Sequence, residues 1–266
     1  MSKDIKILVA THKKYEMPND DMYLPIHVGK EGKKDLGYQG DNTGDNISLK
    51  NKNYCEMTGI YWAWKNLDCD FIGLCHYRRY FKSSSKKEIL NNEDNFSKII
   101  DRQEVEELLN KYDIILPKRR NYYIETIWSH YEHAHNIKDL IETKKILNEL
   151  YPEYINSFDK IMYGKHLHLY NMFVLSKNNF DSYCDWLFNI LFELEERIDI
   201  SNYNNYQGRV FGFISERLFN VWLLYNKLET KELDILFTEK EYLLKKYFNF
   251  IKRKFSITVS HNKKTQ

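Results

Sequence analysis

The sequence predicts an α/β fold: one domain with a mostly parallel central sheet flanked by helices, ending in a helical C-terminal part. Three observations lead there. Short apolar, β-branched runs alternate with segments whose apolar residues recur every three or four positions. No internal repeat interrupts that order. The chain of 266 residues, 42% hydrophobic and 29% charged, is long enough for a full core and too apolar for disorder.

Ile5–Ala10 (IKILVA) reads as a buried strand, and Ile26–Val28 as a second short one. Residues 29–53 carry five glycines among Asp and Asn, a long polar loop of the kind that is usually functional. Met57, Ile60, Tyr61, Trp64 and Leu67 fall on one face, so Tyr54–Asn66 reads as a helix. Phe71–Leu74 is a central strand that empties into Cys75–Phe81. A hydrophilic connection, 82–98, leads to a helix over Gln103–Tyr112. Asp113–Leu116 is a strand stopped by Pro117. Residues 121–165 are mainly helical, Tyr170–Leu175 is a strand, and Phe180–Leu194 is a helix. A polar Asn/Tyr loop, 201–207, and Gly208–Gly212 precede a last apolar stripe from Ile214 to Tyr225.

Composition removes several classes of function. A formal net charge of +2 gives no field calling for nucleic acid. No apolar run is long enough for a transmembrane helix, and Ile5–Ala10 is too brief for a signal core. Four cysteines without a CxxC pair point to a reducing, cytoplasmic setting. Aromatic residues reach 15%, which suits stacking on sugar faces as well as ordinary packing.

The strongest chemical signal is Cys75-His76-Tyr77-Arg78-Arg79-Tyr80-Phe81. In open α/β sheets, ligands bind beyond the carboxyl ends of strands. Two guanidinium groups there suit a diphosphate, because each forks onto phosphate oxygens. Thr11, His12 and Lys13 follow the first strand in the same way, and Lys13 is a further cation for the diphosphate. Asp68-Cys69-Asp70 is a literal D-x-D, but it precedes its strand and reads as a polar turn rather than a metal site. Asp41, Asp45 and Asn46 lie in a loop whose carboxylates and amides suit donor hydroxyls, although composition alone favours a solvated turn cluster.

His130, His133 and His135 lie too close together to hold zinc without a distant ligand. His135 and Asp139, four apart, are expected to pair on one helix, with Asp139 placed to take a proton from a hydroxyl. Ser215 reads as a helix cap with Glu216 in the first turn, which explains Glu216 by the helix dipole. A catalytic base is the alternative.

These segments resemble a capsular-polysaccharide-biosynthesis family, formerly a domain-of-unknown-function family, assigned to glycosyltransferases. The resemblance rests on KILVATHK (6–13), TGDNIS (43–48), NYCEMTGIYWAWKN (53–66), FIGLCHYRRYF (71–81), DIILP (113–117), NMFVLSKNNFDSYCDWLFNIL (171–191) and RVFGFISERLFN (209–220). It implies a GT-A-like, Rossmann-like fold over residues 1–230 and transfer of a sugar, galactose in pyranose or furanose form among some relatives, from a nucleotide donor such as a UDP-sugar. It implies donor-side roles for Thr11, His12, Asp45, His76, Arg78 and Arg79, with Tyr77 beside them, and catalytic roles for Glu216 and Asp139. His130, His135 and Arg217 are acceptor-side candidates. A divalent metal, manganese or magnesium, is compatible with such chemistry, although no D-x-D stands in the expected place. The acceptor expected is a lipid-linked or growing oligosaccharide. A non-catalytic nucleotide-sugar-binding protein of the same fold is the alternative, and a histidine-dependent metallohydrolase the more distant one.

Beyond residue 230 the chain reads as a separate tail. From Glu239 to Gln266, Leu243, Leu244, Tyr247, Phe248, Phe250 and Ile251 interleave with Lys245, Lys246, Lys252, Arg253 and Lys254. Such a helix either packs terminally or lies on an anionic membrane, peripheral to its inner face.

Overall fold

The computed structural model describes residues 3–85 and 95–239. The tail from 240 onward, with its membrane reading, lies outside the described residues. Contacts divide the chain into one compact unit, Met1–Leu236, and a second, Phe237–Gln266. The first unit holds the central sheet and its flanking helices.

The sheet begins with β1 (Ile5–Thr11), β2 (Tyr23–His27) and β3 (Gln39–Gly40), all parallel to their neighbours. Two helices follow, α1 (Asn51–Tyr54) and α2 (Met57–Asn66). The single helix expected over 54–66 is therefore broken. Cys55 between them has φ +54°, a backbone setting that only glycine adopts freely. β4 (Phe71–His76) lies parallel to β1, and β5 (Arg79–Phe81) turns back against its end.

After α3 (Arg102–Leu109), β6 (Ile114–Pro117) and the short β7 (Arg120–Asn121), three helices form one layer: α4 (Ile127–Ala134), α5 (Ile137–Leu150) and α6 (Ile155–Met162). β8 (His166–Leu167) pairs with β7 in a separate antiparallel ribbon. β9 (Phe173–Ser176) enters the main sheet between β4 and β6, antiparallel to both. The long helices α7 (Lys177–Arg197) and α8 (Val210–Asn226) cover one face. β10 (Thr230–Leu233) extends the sheet beside β6, in parallel, and β11 (Ile235–Phe237) follows. The order along the sheet is β10-β6-β9-β4-β1-β2-β3. The mostly parallel α/β expectation holds, with β9 reversed at its centre.

The core has two parts, one on each face. The larger packs α2, α5, α6, α7 and α8 on the sheet through residues such as Trp222, Phe180 and Tyr183, all essentially without solvent contact. The smaller gathers Ile5, Ile7, Val9, Tyr80 and Val105 on the other face. Gly73 lets β9 approach: a Cβ there would lie 2.7 Å from the Phe173 carbonyl oxygen. Among the described residues no helix is long and apolar enough to cross a membrane.

Candidate functional site

β1 and β4 run in register, Ala10 opposite His76, so both strands release their chains at the same edge of the sheet. β9 is antiparallel, with Phe173 opposite Leu74, so the residues before β9 arrive at that edge as well. A cavity of about 670 Å³ opens there. His12 comes from the end of β1, and His76, Tyr77, Arg78 and Arg79 from the β4–β5 turn. Tyr170 and Asn171 precede β9, Cys55 and Glu56 separate α1 from α2, and Arg209, Phe213 and Glu216 come from the α8 region.

The two strand exits are in contact. The His12 and Tyr77 rings meet edge to face at 5.4 Å, and Lys13 Nζ lies 5.2 Å from the Tyr77 ring centre. Arg78 stacks on Tyr77 from 4.8 Å, and Arg79 on Tyr170 from 4.8 Å. Lys33, Lys52 and Arg209 add cations to the walls. Against these stand two carboxylates, Glu56 and Glu216. A surface with that balance suits an anion of several charges.

Glu216 is not at a helix start. α8 begins at Val210, so Ser215 is an interior residue whose hydroxyl donates to the Gly212 carbonyl rather than a cap. This corrects the expectation of a first-turn carboxylate held by the helix dipole. Glu216 Oε1 instead accepts the Tyr170 backbone N–H at 2.6 Å, and its remaining oxygen lies 3.9 Å from Arg217 Nη1. Burial raises its pKa above the ordinary carboxylate value, against the opposing pull of Arg217. The Tyr170 carbonyl, in turn, meets His76 Nε2 at 2.7 Å. Burial lowers the His76 pKa, so the neutral ring donates from Nε2 to that carbonyl. One residue's backbone therefore ties the β4 exit to α8.

The backbone is strained where the walls meet. Cys55, Tyr170 and Asn171 have φ of +54°, +71° and +52°, and all three line the cavity. Asn171 Nδ2 donates to Glu56 Oε1 at 2.8 Å, and Arg209 Nε donates to Cys55 Sγ at 3.2 Å. Burial, then Glu56, raises the Cys55 thiol to about 11, so it stays protonated. Gly212 lets α8 come this close, since a Cβ there would lie 3.1 Å from Cys55 Sγ.

Several sequence candidates lie elsewhere. Asp41 is fully buried and accepts from the Gly29 and Lys30 N–H groups and the Ser48 and Thr58 hydroxyls, so it pins the long loop from inside. Asp45 accepts the Tyr61 hydroxyl and Asn46 caps its own turn; neither lines the cavity. Thr11 is buried and its hydroxyl donates to the Lys13 carbonyl. Asp68 and Asp70 stand at the opposite end of β4, where Asp70 Oδ2 accepts the Asp4 N–H.

The His135–Asp139 pair does not form. Asn136 caps a new helix, so the two residues belong to different helices. Asp139 accepts the Tyr203 hydroxyl at 2.7 Å, and His135 Nδ1 meets Gln207 Oε1 at 3.2 Å. Arg217 is buried, donates to the Phe213 carbonyl and lies over Tyr131. Neither Asp139 nor Arg217 reaches the cavity wall. His130 packs on Tyr122, and among the described residues no cluster of His, Cys, Asp and Glu fits a metal ion. The described residues thus offer no ready-made ligand set for a divalent metal, and Arg78, Arg79 and Arg209 are among the cations that line the cavity.

Burial, then Arg217, pushes both His130 and His135 down to about 4. Their unfolded forms take up protons near 6.5, so the unfolded state gains protons first as pH falls. Stability is expected to be full above about 6.5 and to decline toward 4. In His130→Gln/His135→Gln, thermal melts across that window should show a flatter decline; an unchanged slope would assign the acid sensitivity elsewhere.

Sequence reading missed Cys55, Glu56, Asn171 and Arg209 as site residues. Cys55-Glu56 is hidden inside an apparently regular amphipathic stripe. Arg209 lies next to Gly208 and Gly212, the one local hint of close approach.

The family model for DUF4422, a domain of unknown function, matches residues 6–227. No curated protein matches the sequence. A solved structure, the apo form of the WbbM bifunctional glycosyltransferase, is similar to the chain with a TM-score of 0.83 and 34% identity. That match covers 90% of this chain and 46% of the other, so the chain spans less than half of that relative's length.

Proposed function

The chain belongs to the DUF4422 family, and we propose that it is a glycosyltransferase moving a sugar from a nucleotide diphosphate donor, a UDP-sugar, to a carbohydrate acceptor. One observation carries this reading. The cavity at the β1 and β4 exits sets Arg78, Arg79 and Arg209 around the half-buried Glu216, whose carboxyl is held above its ordinary pKa by desolvation. The similarity to a glycosyltransferase over 90% of the chain supports it.

In the proposed reaction the acceptor hydroxyl attacks the anomeric carbon. Its proton passes to Glu216, the new C–O bond forms, and the bond to the diphosphate oxygen breaks. The departing diphosphate gains negative charge, which Arg78, Arg79 and the neighbouring cations stabilise. Single displacement with inversion is the simplest course for one base in this position. The donor-side set comprises His12, Lys13, His76, Tyr77, Arg78 and Arg79. Asp41 and Asp45 shape the adjoining loop, and galactose is the sugar we would test first. His130, His135 and Arg217 support the acceptor side from behind the wall. The acceptor is a lipid-linked or growing surface polysaccharide, and the setting is cytoplasmic, where nucleotide sugars are made available.

Thermal-shift titration against UDP-, GDP- and CDP-sugars, with and without manganese, tests the donor class. A UDP-sugar is expected to raise the melting temperature without added metal. No shift with any nucleotide sugar would overturn the reading. Binding without transfer or hydrolysis would identify a non-catalytic nucleotide-sugar-binding protein.

A further inference from the structure

A second cavity, of about 520 Å³, lies away from the first, between the end of α6, the end of α8 and β10. Lys160, Lys165 and Lys227 stand on its rim and are exposed. Among the described residues no carboxylate pairs with any of these three; Lys165 Nζ donates only to the Tyr123 carbonyl, at 3.1 Å. Glu232, the acidic residue of the lining, is already engaged by Arg119 at 2.8 Å. The floor is apolar, formed by Ile161, Leu223 and Leu228. The groove thus offers uncompensated positive charge above aliphatic surface.

Beside it stands an exposed apolar tip. Tyr123 and Ile124 are 75% and 69% exposed, and Tyr163 is 61% exposed. The tip is a built feature. β7 and β8 pair beneath it, Asn121 Oδ1 accepts the Tyr123 N–H at 2.7 Å, and the Tyr122 N–H bonds to the Lys165 carbonyl. Tyr123 itself is held at φ +53°, which a bulky residue adopts only at a cost. An exposed aromatic held in that conformation gains nothing from the core; its ring and Ile124 project instead into solvent, with Lys165 Nζ bonded to the Tyr123 carbonyl.

We propose that this edge docks the protein on an anionic phospholipid surface. Tyr123, Ile124 and Tyr163 enter the headgroup boundary, and Lys160, Lys165 and Lys227 meet the lipid phosphates. Apolar side chains beside snorkelling lysines are the combination an interface rewards and water does not. A phosphate-only ligand would leave the exposed tip unexplained. A nucleic acid would find an aliphatic Ile124 and no positive field over the whole chain. The inference does not depend on the proposed reaction, since vesicle binding requires no turnover.

The test is co-sedimentation of the full chain with vesicles of phosphatidylcholine alone or of equal parts phosphatidylcholine and phosphatidylglycerol. Binding to the anionic vesicles only is expected. Lys160→Glu/Lys165→Glu/Lys227→Glu should weaken it by about a hundredfold, roughly fivefold or more for each cation lost. Tyr123→Ser/Ile124→Ser alters only exposed side chains, so it should weaken binding while leaving the melting temperature unchanged. A third variant, with Lys245, Lys246, Lys252, Arg253 and Lys254 replaced by Gln, controls for the C-terminal tail. It should still respond to loss of Tyr123 and Ile124. The proposal is overturned by absence of vesicle binding or by equal binding to neutral vesicles. Full competition by inorganic phosphate or by single-stranded RNA would also overturn it. So would binding that survives Tyr123→Ser/Ile124→Ser and vanishes in the tail variant.

Discussion

Glu216→Gln is expected to abolish sugar transfer while leaving donor affinity near that of the wild type. A positioned general base contributes on the order of 10²–10⁴ in rate, and Gln keeps the size and the acceptor oxygen for the Tyr170 N–H. The substitution therefore removes the proton acceptor without removing the strut between α8 and the β4 exit. The pH profile supplies a second readout. Because burial raises the Glu216 pKa, the acid limb of wild-type kcat/KM should lie above the ordinary carboxylate range, with activity rising as the proton leaves. Stability carries the opposite sign. A carboxyl group with a raised pKa favours the folded state below its unfolded pKa, and that contribution is lost as pH rises through the folded value. At neutral pH the Gln variant should thus melt at or above the wild-type temperature. Wild-type turnover by Glu216→Gln would remove Glu216 as the base and leave Glu56 as the other carboxylate in the cavity.

Arg78→Ala is expected to weaken UDP binding by roughly 10- to 100-fold, since a hydrogen bond to a charged group contributes about 1.5–3 kcal/mol. Arg78 sits at the cavity wall on the Tyr77 ring, and its charge, after burial, helps lower the His12 pKa. Removal should therefore also move His12 back toward its ordinary value, visible as a shifted imidazole titration by NMR. Calorimetry with UDP and with uridine separates the causes: the loss should appear with UDP and be small with uridine. Equal affinity for UDP in variant and wild type would reject the phosphate role. Arg78→Lys should recover only part of the affinity, because an ammonium lacks the planar fork.

Much of the architecture is legible in the sequence. Ile5–Ala10 and Phe71–Leu74 are apolar enough to be buried strands, and the residues just beyond them, His12 and His76–Arg79, are expected at one edge. The helix over Phe180–Leu194 lies within α7. Three places are not legible. The Tyr54–Asn66 stripe has an unbroken apolar period, yet the chain breaks at Cys55, and that break turns Glu56 toward the cavity. The 130–139 stretch looks like one helix, but Asn136 restarts it and separates His135 from Asp139. Ser215 fits a cap by composition and is an interior residue of a longer helix.

What the sequence determined by itself is the main buried strands, the long helices and the edge where cations gather, because apolar period and residue type are local properties; the short strands, β10 (Thr230–Leu233) among them, carry too little pattern to be read. Tertiary structure alone decided the direction of β9. A strand's composition is the same whether it runs up or down; here β9 pairs antiparallel with both β4 and β6, and Gly73 leaves room for its backbone. That reversal delivers Tyr170 and Asn171 to the cavity, and the Tyr170 backbone then holds Glu216 and His76 together. Contacts between residues so distant in the chain arise from packing geometry, which no local pattern encodes.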